Sequence, residues 1–377
     1  MNPGFAAAFA KGDPPTLAQR CLEQLPQGSD ATLGILYVTE PAAIRFPQLV
    51  QELAAGTGIA NWVGGVGLGL CAGGEEVYER PAAAVLTAAL PNDKFRLFAP
   101  TDDPASDLPR HHAQWIEAEQ PSLALVHADP RCRDLVKTTI ETGLATGAFL
   151  VGGLVSHRCA TPLLASAAGA KGDGLGTAGI SGLMLSPDIG IATALTQGCM
   201  PIGPTRRIDE ARDNVVIAID GRPALSVFKD DIGPALAEDM RRLGNVIFAG
   251  LPVAGSDTGD YLVRNLLAID PANGWIVLGA EVEAGDQLLF CRRDPDSARA
   301  DMGRMLGQLA RRLHAPPKAA VYVSCVARGV SLFDEPGVEA AAIRETFGDI
   351  PLVGFFANGE ISRDRLYGHT GVLTLFT

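Results

Sequence analysis

Cys325 and Arg328 are the residues of this chain whose types and spacing most directly suggest chemistry. Cys325 ends the apolar run AAVYVSC at 319–325, where folds with parallel strands present side chains to a ligand crevice. A guanidinium three residues on favours the thiolate over the thiol. By itself it can also clamp a carboxylate through two parallel hydrogen bonds. Gly329 follows directly. Asn358, Gly359 and Glu360 occupy the loop after the next apolar run, IPLVGFF at 350–356. If the two strands are neighbours, both loops open at one sheet end. Glu360 can then hold an amino group while Arg328 holds a carboxylate, a pairing that suits a small zwitterion. Other readings stay open. Buried cysteine often serves as a small hydrophobe, Arg328 can form an internal salt bridge, for instance to Glu360, and Glu360 can be a solvated turn residue. Arg264 and Asn265 sit between LV and LL, and a charge in such a run needs a partner when buried. Ligand contact and a salt bridge between lobes are both open for them. Glu75 and Glu76 are loose counterparts of Glu360 in the first third of the chain.

Other familiar centres lack support. GLGLCA at 67–72 and the G-x-G-x-x-G at 174–179 match a dinucleotide fingerprint, but that motif works only between a strand and the helix that starts on it. GGEEVYERP follows the first and a strand-like ISGLMLS the second, so neither supplies the helix. His111, His112, His127, His157, His314 and His369 show no metal-ligand spacing. The seven cysteines stand far apart with no C-x-x-C pair, which argues against a zinc knuckle or a dithiol redox site. No metal or cofactor is expected. A nucleophilic role for Cys325 requires a base within hydrogen-bond reach. No histidine is near it in sequence, and His369 could approach only through the fold.

The elements that must position these residues follow a pattern read three times. An apolar strand, a helix, a short apolar strand with a V/L-x-G step, a loop and a further strand recur. The copies are TLGILYV (32–38), a helix bearing Phe46, Leu49, Val50 and Leu53, NWVGG (61–65) and AAAVLTAAL (82–90); SLALVHA (122–128), a helix over about 132–145 with Val136, Ile140 and Leu144 on its apolar face, FLVGG (149–153) and GISGLML (179–185); and AAVYVSC, a helix near 337–347, IPLVGFF and TGVLTLF (370–376). This predicts mixed α/β architecture, with partly parallel sheets joined by crossover helices. Between the second and third copies, YLVRNLLAID, WIVLG and QLLFCRR read as a three-strand meander. A helix over about 297–314 carries Met302, Met305, Leu306, Leu309 and Leu313, a core stripe. Two lobes are expected, meeting near 220–235.

With 377 residues, 47% hydrophobic and 20% charged, the chain can bury a large core. A net charge of −12 opposes broad binding to nucleic acid or anionic membrane. Residues 53–74 contain no charge and are long enough to span a bilayer, but eight glycines among them disfavour a continuous helix. They read as a helix end, a buried strand and a Gly-rich loop. The scattered cysteines and a start without a basic n-region predict a cytoplasmic protein.

DYLVRNLLAIDPANG, VEAGDQLLFCRRD, VYVSCVARG and IPLVGFFANGEI, in that order, resemble the C-terminal FIST domain (F-box and intracellular signal transduction proteins). The half that ends in TQGCMPIGPTRRI and NVVIAIDGRPALSVF is similar to the FIST N-terminal domain. The resemblance covers about 30–365 and implies an N-terminal extension with a short helix (1–30), a FIST N-terminal domain (31–222) and a FIST C-terminal domain (223–377). The family pattern C-x-x-R-G is intact as Cys325, Arg328 and Gly329. The resemblance implies a sensory, signal-transducing module for small ligands such as amino acids. It occurs alone, fused to signalling domains, or behind an F-box. No effector segment is visible here, so a stand-alone sensor acting through a protein partner is expected. The alternatives are a Cys325-dependent enzyme and an interaction scaffold.

Overall fold

The apolar runs of the sequence become the inner strands of three sheets. The computed structural model describes residues 4–156, 158–160, 162–167, 174–177, 179–238, 243–244, 246–253 and 260–377. His157 and position 178 of the second glycine motif lie outside them. The chain is mixed α/β and divides into two compact units. The first comprises Met1–Thr196, Met302–Leu366 and Thr370–Thr377; the second, Gln197–Asp301 with Tyr367–His369, is inserted into it. The stretch near 220–235 lies within the second unit. There Asp220 and Gly221 form a positive-φ hairpin turn between Val215–Ile219 and Arg222–Pro223.

In the first unit, three six-stranded sheets share one order. Each has a buried central strand flanked by an antiparallel return strand and a parallel strand. Leu33–Thr39 lies between Ala82–Ala88 and Asn61–Gly67. Leu123–Ala128 lies between Ile180–Leu185 and Phe149–Leu154. Ala319–Cys325 lies between Thr370–Phe376 and Leu352–Ala357. The next strand of each sheet comes from a different third of the chain. Leu163–Ser166 completes the first sheet, Glu360–Arg363 the second and Gly69–Ala72 the third. The three sheets thus exchange strands in a cycle. Residues 53–74 contain the end of helix Phe46–Thr57, the strand Asn61–Gly67 and the exchanged strand Gly69–Ala72. The expected Gly-rich loop is therefore largely strand, because glycine lets backbones meet closely: a Cβ at Gly67 would press on both the Gly69 carbonyl and Phe355.

The shared V/L-x-G step has a steric cause. A Cβ at Gly152 would fall on the carbonyl oxygen of Val126 in the parallel strand, and φ there is 150°. Gly64 and Gly354 meet the Leu36 and Tyr322 carbonyls in the same way. The inner faces of the three sheets share one core, with Ile35, Leu125, Val151, Val321 and Phe355 among its members. Within it the rings of Tyr37, His127 and Phe355 pack together, and Tyr37 Oη lies 2.9 Å from His127 Nε2. Burial holds the His127 pKa down at about 3, so the ring is neutral at physiological pH.

Helices cover the outer faces: Leu17–Leu22 and Phe46–Thr57 on the first sheet, Pro104–Glu119 and Leu135–Thr146 on the second, and Pro295–Arg312 and Val338–Phe347 on the third. Met302, Met305, Leu306 and Leu309 are core, as their spacing predicts. Helix Leu135–Thr146 turns the other way from expectation. Val136, Ile140 and Leu144 are exposed, and Thr138, Thr139, Thr142 and Thr146 are buried. The threonines tolerate burial because Thr139, Thr142 and Thr146 donate to carbonyls four residues back, at 2.7–2.8 Å. Their methyl groups are left to pack.

In the second unit, Gln287–Arg293, Arg206–Arg212, Val215–Ile219, Trp275–Leu278, Tyr261–Asp270 and Ile247–Pro252 pair in that order, and the last returns to the first. This closed ring packs around helix Ala224–Ile232, with Phe228 4.8 Å from Phe290 between ring centroids. The expected meander holds only for Tyr261–Asp270 and Trp275–Leu278. Trp275–Leu278 already has a partner on each edge, so Gln287–Arg293 closes the ring instead. Among the described residues, no helix is long and apolar enough to cross a membrane.

Candidate functional site

Cys325 ends the central strand of the third sheet, opposite Ala357. A tight turn follows, closed by Arg328 N–H donating to the Cys325 carbonyl at 2.8 Å. The next segment holds the short helix Val330–Phe333, positive φ at Asp334 and Gly337, and then helix Val338–Phe347. Glu339 stands in the first turn of that helix, on the side it shares with Ala340 and Ile343, and is buried.

Arg328 is fully buried. Its Nε donates to Glu339 Oε1 at 2.7 Å. Tyr322 Oη donates to the same oxygen at 2.7 Å, and Ser324 Oγ donates to Oε2 at 2.8 Å. Tyr322 and Ser324 are two apart on one strand and so share a face. Burial disfavours the guanidinium charge, but Glu339 outweighs it and holds the Arg328 pKa above its ordinary value. The salt bridge considered for Arg328 thus forms with Glu339 rather than Glu360, because helix Val338–Phe347 delivers an acid directly against the strand. Arg328 Nη1 and Nη2 are buried and have no hydrogen-bond partner among the described residues. The Phe333 ring lies 5.8 Å from the guanidinium carbon.

Glu360 is also fully buried, at the start of the strand exchanged into the second sheet. Its Oε2 accepts from Thr370 N and Oγ1 at 3.0 and 2.7 Å. Oε1 has no partner among the described residues. Burial raises its pKa to about 8, against the opposing effects of Thr370, the Cys325 thiol and the Arg328 charge. Cys325, Arg328 and Glu360 are therefore brought together. Asn358 is not: it is exposed at the turn. Gly359 takes a φ of 138° with Leu154 and Leu366 against it. Gly329 serves the backbone, with φ 52°, and a Cβ there would fall on Tyr78 Oη. Arg264 and Asn265 belong to the second unit, on Tyr261–Asp270. There Arg264 Nη1 donates to the Val263 carbonyl at 3.0 Å, and burial lowers its pKa. Asn265 is exposed.

The first third of the chain contributes as well. Strand Glu75–Tyr78 is the hairpin mate of the exchanged strand Gly69–Ala72. Glu76 Oε2 accepts from Tyr78 Oη at 3.1 Å and lies against Gly329. Burial and the Glu339 charge raise the Glu76 pKa to about 7, while hydrogen bonds from Tyr78 and the backbone N–H groups of Gly337 and Val330 oppose the rise. One guanidinium thus stands among three carboxyl groups, two of which hold their protons to unusually high pH. Glu339 and Tyr78 are the members that sequence reasoning missed. The readable signal was an acid in the buried register of VEAAAI, where every neighbour in that register is apolar.

Among the described residues no group of three acids, cysteines or histidines can hold a metal. Fold and site therefore define a two-unit α/β protein with a buried arginine–carboxyl cluster where the strands of one sheet end. The chain belongs to the FIST family: the FIST N domain matches residues 32–222 and the FIST C domain residues 224–363. FIST domains are associated with signal transduction and small-ligand sensing. The uncharacterized protein Rv0628c of Mycobacterium tuberculosis is 30% identical over 377 residues, covering 95% of this chain and 94% of its own length. The uncharacterized protein Mb0898c of Mycobacterium bovis is 33% identical over 211 residues, covering 53% of this chain and 54% of its own.

Proposed function

We propose that this chain is a small-ligand sensor whose ligand carries a carboxylate and an amino group, with α-amino acids the simplest class. The observation that supports this reading is Arg328: a buried guanidinium with two donor nitrogens that no described residue satisfies. Leaving such donors unmatched is costly, and a carboxylate matches both at once. Glu360, within electrostatic reach of Arg328, offers an unmatched carboxyl oxygen for an ammonium group. A bound ammonium would draw the Glu360 proton off and exchange a neutral acid for an ion pair. Segment 326–337 carries Arg328, Gly329 and Phe333, so entry of a ligand requires this segment to open. Its displacement is the natural output for a protein partner to read.

Thermal unfolding in the presence of the common amino acids tests the reading, since a ligand selective for the folded state raises Tm. At least one amino acid should raise Tm saturably. Glu360→Gln, which retains an acceptor for Thr370, should weaken that shift for the amine-bearing compound and spare the shift from its deaminated analogue. If no amino acid or deaminated analogue moves Tm at saturating concentration, the reading fails.

A further inference from the structure

We infer that the first unit contains a second binding site, specific for a small organic carboxylate with an apolar body, in the cavity where the first sheet's strands begin. The cavity has a volume of about 470 Å³, within the range of small-molecule sites. Ile59, Phe95 and Leu97 supply apolar wall, and Arg96 and His112 line it as well. Among the described residues none of those lining it is acidic. On a chain of net charge −12, described walls that carry two basic side chains and no acid favour an anion.

Arg96 is held in place for such a contact. Its Nη1 donates to the carbonyls of Asn92 and Phe95, both at 2.8 Å. Its guanidinium carbon lies 5.3 Å from the Trp115 ring centroid, and Trp115 Nε1 in turn donates to the Asp93 carbonyl at 2.7 Å. Among the described residues no carboxylate pairs with Arg96, which leaves its charge available to a bound anion. His112 comes from helix Pro104–Glu119, and burial, His111 and Arg96 hold its pKa below the ordinary histidine value. It therefore faces the cavity as a neutral ring that a nearby anion would charge. The recess beside the third sheet has the corresponding position, after Gly348 and at the start of Leu352–Ala357, but it is smaller, about 250 Å³, and Asp349 offsets Arg344 in its lining. The fold makes both recesses, and side-chain charge makes only the first one anion-selective.

Phenylacetate, with phenylacetamide as its neutral counterpart and inorganic phosphate as an anion without an apolar body, tests this by NMR of the intact chain. Phenylacetate should shift the His112 ring and Trp115 indole signals saturably and raise the His112 pKa; phenylacetamide and phosphate should bind at least about tenfold more weakly, the value of one charge-assisted hydrogen bond or of a buried apolar group. Arg96→Gln should weaken phenylacetate by a similar factor, and His112→Gln, a change at a partly exposed helix position, should weaken it without loss of fold. The His112 and Trp115 signals report on this cavity alone, which separates it from the Arg328 cluster. Equal binding of phenylacetamide, retention of phenylacetate affinity in both variants, or no shift at millimolar phenylacetate overturns the inference.

Discussion

At the scale of the residue, Glu360 shows how burial makes a titration into a statement about stability. Its folded pKa of about 8 lies above the value in an unfolded chain, about 4.3. The folded state therefore binds the proton more tightly. Its stability penalty from this group is absent below the unfolded pKa and grows as pH rises to the folded one, with a slope of at most about 1.4 kcal/mol per pH unit. Urea unfolding at pH 5, 7 and 9 should find Glu360→Gln gaining on the native chain as pH rises. A constant difference across the three would mean that Glu360 is ionised throughout. Arg328 and Glu360 were legible in the sequence because each interrupts or ends an apolar run. Glu339 was harder to see, because an acid in the first turn of a helix is ordinarily read as a macrodipole partner facing solvent. Here three donors from the adjacent strand and turn make its burial tolerable.

At the scale of the element, helix Leu135–Thr146 shows where periodicity stops being informative. A 3.6-residue period marks two faces, and hydrophobicity ordinarily chooses between them. Here it selects the exposed one. Threonines that return their hydroxyls to the preceding turn behave as small β-branched hydrophobes, which suits a helix that lies close against helix Pro104–Glu119. Leu144→Glu should therefore change stability by no more than about 0.5 kcal/mol, as for an ordinary surface site. Thr142→Glu, fully buried at its own position, should cost about 3 kcal/mol or more by placing an unpaired charge inside. Chemical denaturation of the two variants decides the matter; a larger loss for Leu144→Glu would reverse the assignment of faces. The same limit explains Gly69–Ala72. Composition marks its glycines as loop, while the reason for them is a strand crossing with no room for side chains.

At the scale of the whole molecule, strand order in the sheets was the least legible property. Strand and helix positions follow from local pattern, but the partner of Leu163–Ser166, Glu360–Arg363 or Gly69–Ala72 is fixed by contacts across a large sequence separation. The consequence is cooperative. The FIST C segment that begins at residue 224 starts inside the second compact unit, runs on into the first, and lacks Gly69–Ala72, the strand on which Leu352–Ala357 depends. The second sheet likewise needs Glu360–Arg363, so losing the last third exposes the edge of Phe149–Leu154, and the effect passes to the first sheet through the shared core. Native-state hydrogen exchange should therefore give the amides of Leu33–Thr39, Leu123–Ala128 and Ala319–Cys325 one common opening free energy, as expected of a single cooperative unit. The closed ring of the second unit exchanges no strand in this cycle and is free to open at its own value. A central strand of one sheet opening at distinctly lower free energy than the other two would show that strand exchange does not couple them. In that case the isolated C-terminal segment would be expected to keep its third sheet protected, and the same exchange experiment on residues 224–377 would reveal it.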